Sequence, residues 1–209
     1  VMDIPNRHDK ELVLAQILYL YVIPTLLLYY GVIPDSFRIV VLFSIALLMY
    51  GIIKHAHWTY ADLGIKKNFL KDVVPYTVFT IAGVGFIFWI SRITPTVEGT
   101  QYYQWWEDLR FLLLFIPISV LQEVVFRGVL MRLLQRAFNN SAFIIILNAS
   151  VFALIHIIYL NTTVVLPLTF IGGIGFAYMY YKYPNLIMIS LAHTVMNFTA
   201  MILGFFVLR

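Results

Sequence analysis

Cysteine is absent from this chain, which excludes disulfides, thiolate nucleophiles and cysteine-ligated metal centres together. Charge is scarce. Only 11% of the 209 residues are Asp, Glu, Lys or Arg, less than half the share of about 25% usual in a soluble domain. Strict period-two alternation is missing, which excludes a membrane β-barrel. No His-Glu-x-x-His run occurs, so the common zinc-peptidase helix is not present. There is no internal repeat, and paired repeats are the usual mark of a coupled transporter. The chain opens on Val1, so we expect further residues upstream, and its polar first dozen residues hold no apolar core of the secretory-signal kind.

Apolar residues fill the gap that these absences leave. They make up 62% of the chain, more than one aqueous core of this size could hide, so the solvent is lipid. In lipid every backbone polar group must be satisfied within its own segment. Long unbroken apolar runs then predict an all-α, polytopic bundle in one domain, 1–209, with a polar cavity inside the membrane. Seven segments are expected: about Leu12–Tyr30 with Pro24 as a tolerated kink, Ile39–Ile53, Val73–Ile93, Leu109–Leu134, Ala142–Leu160, Val164–Tyr181 and Leu186–Leu208. The second reads as short, tilted or shallow. The polar stretch Lys54–Asp72 reads as an interfacial loop or a short amphipathic helix. Tyr102, Tyr103, Trp105 and Trp106 read as an interfacial aromatic belt. Nine cationic residues on the side of the N-terminus against four on the other predict a cytoplasmic N-terminus. The net charge of +4 suits anionic headgroups better than nucleic acid, so membrane lipid is an expected partner and nucleic acid is not.

Against this background a few polar side chains stand out. Each ionisable group at bilayer depth costs roughly 2.5–3.5 kcal/mol on insertion scales, so such groups face a bundle interior. In the fourth segment Glu123 and Arg127 are four apart and share a helix face, where a buried ion pair would neutralise both. Gln122 is turned from them by about 100° and is assigned to the stripe of Ser119 and Phe126. In the fifth, Asn148, Phe152 and His156 form one stripe. In the seventh, His193 and Asn197 sit four apart, either as an interhelical hydrogen-bond pair or as two donors aimed at one oxygen. The glycines of Gly172-Gly173-Ile174-Gly175 read as close helix packing. A lone histidine on an apolar helix is ordinarily a packing residue. Three helices that each carry polar groups at helical spacing weaken that view.

These clusters resemble the motifs of the CPBP family of intramembrane proteases, which includes the type II CAAX prenyl endopeptidases and bacteriocin-processing relatives. Glu-Glu-x-x-x-Arg is matched by Gln122-Glu123-Val124-Val125-Phe126-Arg127, Phe-x-x-x-His by Phe152 to His156, and His-x-x-x-Asn by His193 to Asn197. Asp62-Leu63-Gly64-Ile65 is similar to the stretch ahead of the family's core. The motifs span about residues 109–208. The resemblance implies a glutamate-dependent endopeptidase. Position 122 and His156 would activate water, His193 and Asn197 would hold the oxyanion, and Glu123 and Arg127 would support the site. It also implies a peptide or membrane-protein substrate, with or without a prenylated C-terminus. Gln122 departs from the motif, since a carboxamide cannot take a proton from water. Three explanations stand: a substitution that traps an inactive form, a relative that lost activity, or Glu123 as the base. Little or no peptidase activity is therefore expected, and no cofactor. Zinc is the lesser alternative, because Asn197 is a poor zinc ligand. A non-catalytic peptide-binding or immunity protein on the same fold, and an ion-coupled transporter, are the competing functions.

Overall fold

The computed structural model describes residues 7–94 and 109–206, the side chains of 7–9 and 110–112 aside. Among the described residues all regular structure is helical apart from one isolated bridge position. Six helices are long and apolar enough to cross a bilayer: α1 (Lys10–Tyr29), α2 (Asp35–His55), α3 (Phe69–Ile93), α4 (Leu113–Ala137), α5 (Ser141–Ile158) and α6 (Thr162–Lys182). A seventh, α7 (Leu186–Ile202), is apolar and shorter. The protein is thus an integral, multi-pass membrane protein. The aromatic run at 102–106 and the cation Arg209 lie outside the described residues.

Two expected boundaries change. The second segment is no shallow stub, because its helix gains a turn at Asp35–Phe37 and runs on to His55, giving 21 residues. The seventh ends at Ile202, well before Leu208, where Gly204 takes φ +79° and turns the chain. The stretch between α2 and α3 is a loop, and α3 opens with a short 3₁₀ turn, Phe69–Asp72.

Two helices are locally widened to π-helix, each for a readable reason. In α1 the π segment Leu18–Val22 lies just before Pro24. Proline has no N–H, and its ring crowds the carbonyl four residues back, so the turn expands. In α4 the π segment Val124–Leu130 follows Glu123 and contains Gly128. There the Met131 N–H reaches Phe126 O, five residues back.

Helix ends on one side of the bundle are tied by polar contacts. Asn140 caps α5 by accepting from Phe143 N–H at 3.0 Å. Asn185 caps α7 by accepting from Met188 N–H at 3.2 Å, and its Nδ2 donates to Phe69 O at 2.7 Å and Asp72 Oδ2 at 3.0 Å. The loop ahead of α3 lies over the same end. Asp62 accepts from Thr59 N–H at 2.8 Å and pairs with Arg132 at 2.6 Å. These bonds and the Arg132 guanidinium hold its carboxyl below the usual carboxylate range. Gly64 sits at φ +72°, where a Cβ would fall 2.6 Å from the Tyr180 hydroxyl, so only glycine fits that turn. Its carbonyl accepts from Leu186 N–H at 2.9 Å. Lys54, Lys66, Lys67, Lys71, Arg132, Arg136 and Lys182 gather at this end, in line with the uneven distribution of cations along the chain.

The core sits where α4, α5, α6 and α7 meet. Close approach of α5 and α6 depends on Gly173, where a Cβ would stand 3.2 Å from Ala149 Cα and 3.1 Å from the Phe152 ring. Leu47, Val78 and Ile81 are exposed on the outer faces of α2 and α3, as a lipid solvent permits.

Candidate functional site

Glu123 is the centre of the polar cluster. Its side chain is fully buried, as is that of Arg127. Arg127 Nη1 donates to Glu123 Oε1 at 3.2 Å, and the four-residue spacing predicts that pairing. Three aromatic faces surround the guanidinium, with Phe152 at 4.3 Å, Phe176 at 5.3 Å and Phe126 at 5.8 Å. Such contacts stabilise a cation away from water. Arg127 Nη2 also reaches Gly173 O at 3.5 Å, the bare backbone of α6 that the glycine exposes.

The same Oε1 meets α7. His193 Nδ1 lies 2.6 Å away, an ion-pair distance without hydrogen-bond alignment of the ring. The His193 ring rests between Phe152 and Phe176, with centroids 5.6 and 5.0 Å apart. One turn along, Asn197 Nδ2 approaches Ser119 Oγ at 3.4 Å, a long contact. The antiparallel pair α4 and α7 thus bring Glu123 to His193 and Ser119 to Asn197 at successive levels.

His156 enters from the end of α5, where the helix tightens to 3₁₀ over Ile155–Ile158. Its Nδ1 lies 2.8 Å from Phe152 O. A carbonyl can only accept, so Nδ1 carries a proton, and in the neutral ring Nε2 keeps the lone pair. The ring packs on Phe152 (4.8 Å) and is covered by Tyr159 and Phe206 at 5.8 and 5.7 Å. Phe152 is therefore the common wall of both imidazoles. Because α5 and α7 run in the same direction and the two histidines lie at unequal distances from their starts, sharing Phe152 requires the two helices to be staggered.

Asn148 does not point at the carboxylate. Its Nδ2 donates to Phe126 O at 2.9 Å, on the π segment of α4. Gln122 is half-buried, whereas Ser119 and Phe126 on its assigned stripe are buried. Ser119, Glu123 and Arg127 instead form the stripe, at four and four. Among the described residues, Glu123 Oε2, Asn148 Oδ1, Arg127 Nε and Ser190 Oγ are buried and find no hydrogen-bond partner. Sequence reasoning gave no site role to Ser119, Phe176 or Tyr21, whereas Gly173, read as a close-packing position, is where α5 and α6 meet. The four-residue spacing of Ser119 from Glu123 was the available signal for the first. Tyr21 lies 104 residues from its partner Val125, and no local pattern announces it. Among the described residues no three His, Cys, Asp or Glu side chains gather as metal ligands.

Residues 104–199 match the family model described as type II CAAX prenyl endopeptidase, Rce1-like. No curated protein and no solved structure matches the chain. The matched segment takes in all three polar clusters.

Proposed function

We propose, from the match of residues 104–199 to the Rce1-like type II CAAX prenyl endopeptidases, that this bundle is built for hydrolysis of a peptide bond inside the membrane. Position 122 and His156 are the water-handling groups, and His193 and Asn197 the oxyanion groups. Glu123 and Arg127 hold the site, with Phe152 and Asn148 in support. Gln122 leaves the chain as given with little or no turnover. The substrate is a peptide or a membrane protein, its C-terminus prenylated or not. The cationic end of the bundle faces the cytoplasm, and the N-terminus with it.

The observation that carries this reading is the meeting of Arg127 and His193 on one oxygen of the buried Glu123. Lipid tolerates these groups only where they are paired, and here the pairing gathers the first and third motifs at one depth. A carboxylate engaged on Oε1 from two sides suits the part of a fixed countercharge. That supports position 122 over Glu123 as the place of the base. His156 supplies an Nε2 lone pair, the nitrogen that a base needs. A protonated His193 turns Nδ1–H to Glu123 and offers Nε2–H to developing negative charge. The 3.4 Å contact of Asn197 Nδ2 with Ser119 is long and easily exchanged for an oxyanion.

The test is peptide cleavage by purified protein, with and without Gln122→Glu, on substrates with and without a prenyl group. Turnover is expected to rise from background in the Gln122→Glu variant. Full turnover with Gln122 in place, lost after Glu123→Gln, would move the base to Glu123. A metal-free site is part of the proposal, and one tightly held zinc per chain on metal analysis would overturn it. The carboxamide itself favours a second reading, a peptide-binding protein on the same fold that does not cut. Binding of peptide by the chain and by Gln122→Glu alike, without cleavage in either, selects that reading.

A further inference from the structure

The π segment of α4 begins at the residue after Glu123 and includes Arg127, so its geometry decides where both charges stand. A π turn is a strained form that persists only where its surroundings favour it, and it recurs at functional positions. Two carbonyls of this one are taken by side chains from other helices. Tyr21, on α1, donates its hydroxyl to Val125 O at 2.8 Å. Asn148, on α5, donates to Phe126 O at 2.9 Å. Tyr21 is 2% exposed and its ring lies 5.2 Å from that of Phe126, which in turn meets Phe152 edge-on at 5.2 Å. Tyr21 is itself set by the π segment that Pro24 imposes on α1, for it lies inside that segment, three residues before the proline. The two widened turns therefore dock on each other, side chain to backbone. Lipid offers no substitute donor for either carbonyl.

We propose that Tyr21 is a positioning residue for the Glu123–His193 contact. It acts through the π turn of α4 together with Asn148, and so places a residue of the first span, outside the family-matched segment, in the service of the site. The inference takes from the proposed function only that Glu123 and His193 belong to the working site.

The experiment uses full-length protein in lipid nanodiscs with ¹⁵N-labelled histidine. The chain has five histidines, and the His193 signals are those lost in His193→Gln. Tyr21→Phe keeps the ring and removes only the hydroxyl. Asn148→Leu removes the second donor at similar volume. Each is expected to shift the His193 Nδ1 resonance by several ppm. Each is also expected to speed amide exchange over 124–131 by about tenfold, the loss of one buried hydrogen bond. Thr25→Val is the control. Thr25 is buried on the same helix, but its hydroxyl bonds only its own helix, at Tyr21 O, 2.7 Å. It is expected to lower the unfolding midpoint and leave His193 where it was. Unchanged His193 signals in both Tyr21→Phe and Asn148→Leu, with only the midpoint lowered, overturn the proposal. In the Gln122→Glu background, Tyr21→Phe is expected to lower kcat more than it changes KM. A chain that cleaves nothing in any background but still shows the His193 shift supports this positioning and refutes only the peptidase reading.

Discussion

Replacing Arg127 by Met tests the electrostatic logic of the bundle most directly. The side chain is fully buried and pairs with an equally buried Glu123 at 3.2 Å. Removal leaves the buried carboxylate to the unaligned His193 Nδ1 at 2.6 Å, and breaking a buried pair costs about 3–5 kcal/mol. Loss of the closest cation–π contact, Phe152 at 4.3 Å, adds about 1–2 kcal/mol at a desolvated position. The single variant is therefore expected to lose about 4–7 kcal/mol, a large part of the stability of an ordinary domain. Glu123→Gln is milder, since Arg127 keeps its three aromatic faces and Gly173 O. The double variant carries no stranded charge, and such replacements are often neutral or stabilising. It is expected to be more stable than Arg127→Met alone, with a coupling energy of about 2 kcal/mol or more. The assay is reversible unfolding in mixed detergent micelles, run as a double-mutant cycle. Additive single effects, or an Arg127→Met variant within about 0.5 kcal/mol of the parent, the usual range of an unremarkable substitution, refute the reasoning.

Gly173→Ala is expected to cost about 1–3 kcal/mol, because the new Cβ meets backbone of α5 at 3.2 Å. Gly85→Ala meets nothing within 4 Å and is expected to be neutral or stabilising by up to about 1 kcal/mol, both by the same unfolding assay. The Asp62 anchor of the α2–α3 loop should depend on acid pH. Its folded-state pKa is depressed, so the unfolded chain binds the proton more readily. The stabilisation is complete above the ordinary aspartate value of about 3.9 and is lost as pH falls through the lower folded value. Limited proteolysis of the loop should rise over that window, and Asp62→Asn should be cut readily at every pH.

Composition and run length carried the membrane architecture, because lipid leaves the backbone few choices. The pairing of Glu123 with Arg127 was legible for the same kind of reason, as a local spacing on one helix. What escaped was the stripe of Gln122 with Ser119 and Phe126, counted on an ideal period of 3.6. Ser119 is three residues from Gln122 and four from Glu123, all ahead of the π turn, and its meeting with α7 beside Glu123 is what assigns it to the Glu123 face. The partnerships of Tyr21 with Val125 and of Asn197 with Ser119 span 104 and 78 residues, and only the fold brings them together. The stagger that lets His156 and His193 share Phe152 is likewise a property of packing, since neither helix encodes its height relative to the other.

One cap, far from the chemistry, acts as a depth gauge. Asn185 pins the start of α7 to Phe69 and Asp72 at the rim of the bundle. From that anchor a rigid rod places His193 about 12 Å and Asn197 about 18 Å inward, at 1.5 Å per residue. The height of His193 and Asn197 along the bundle is thus ruled off from its rim, by a single amide with three hydrogen bonds.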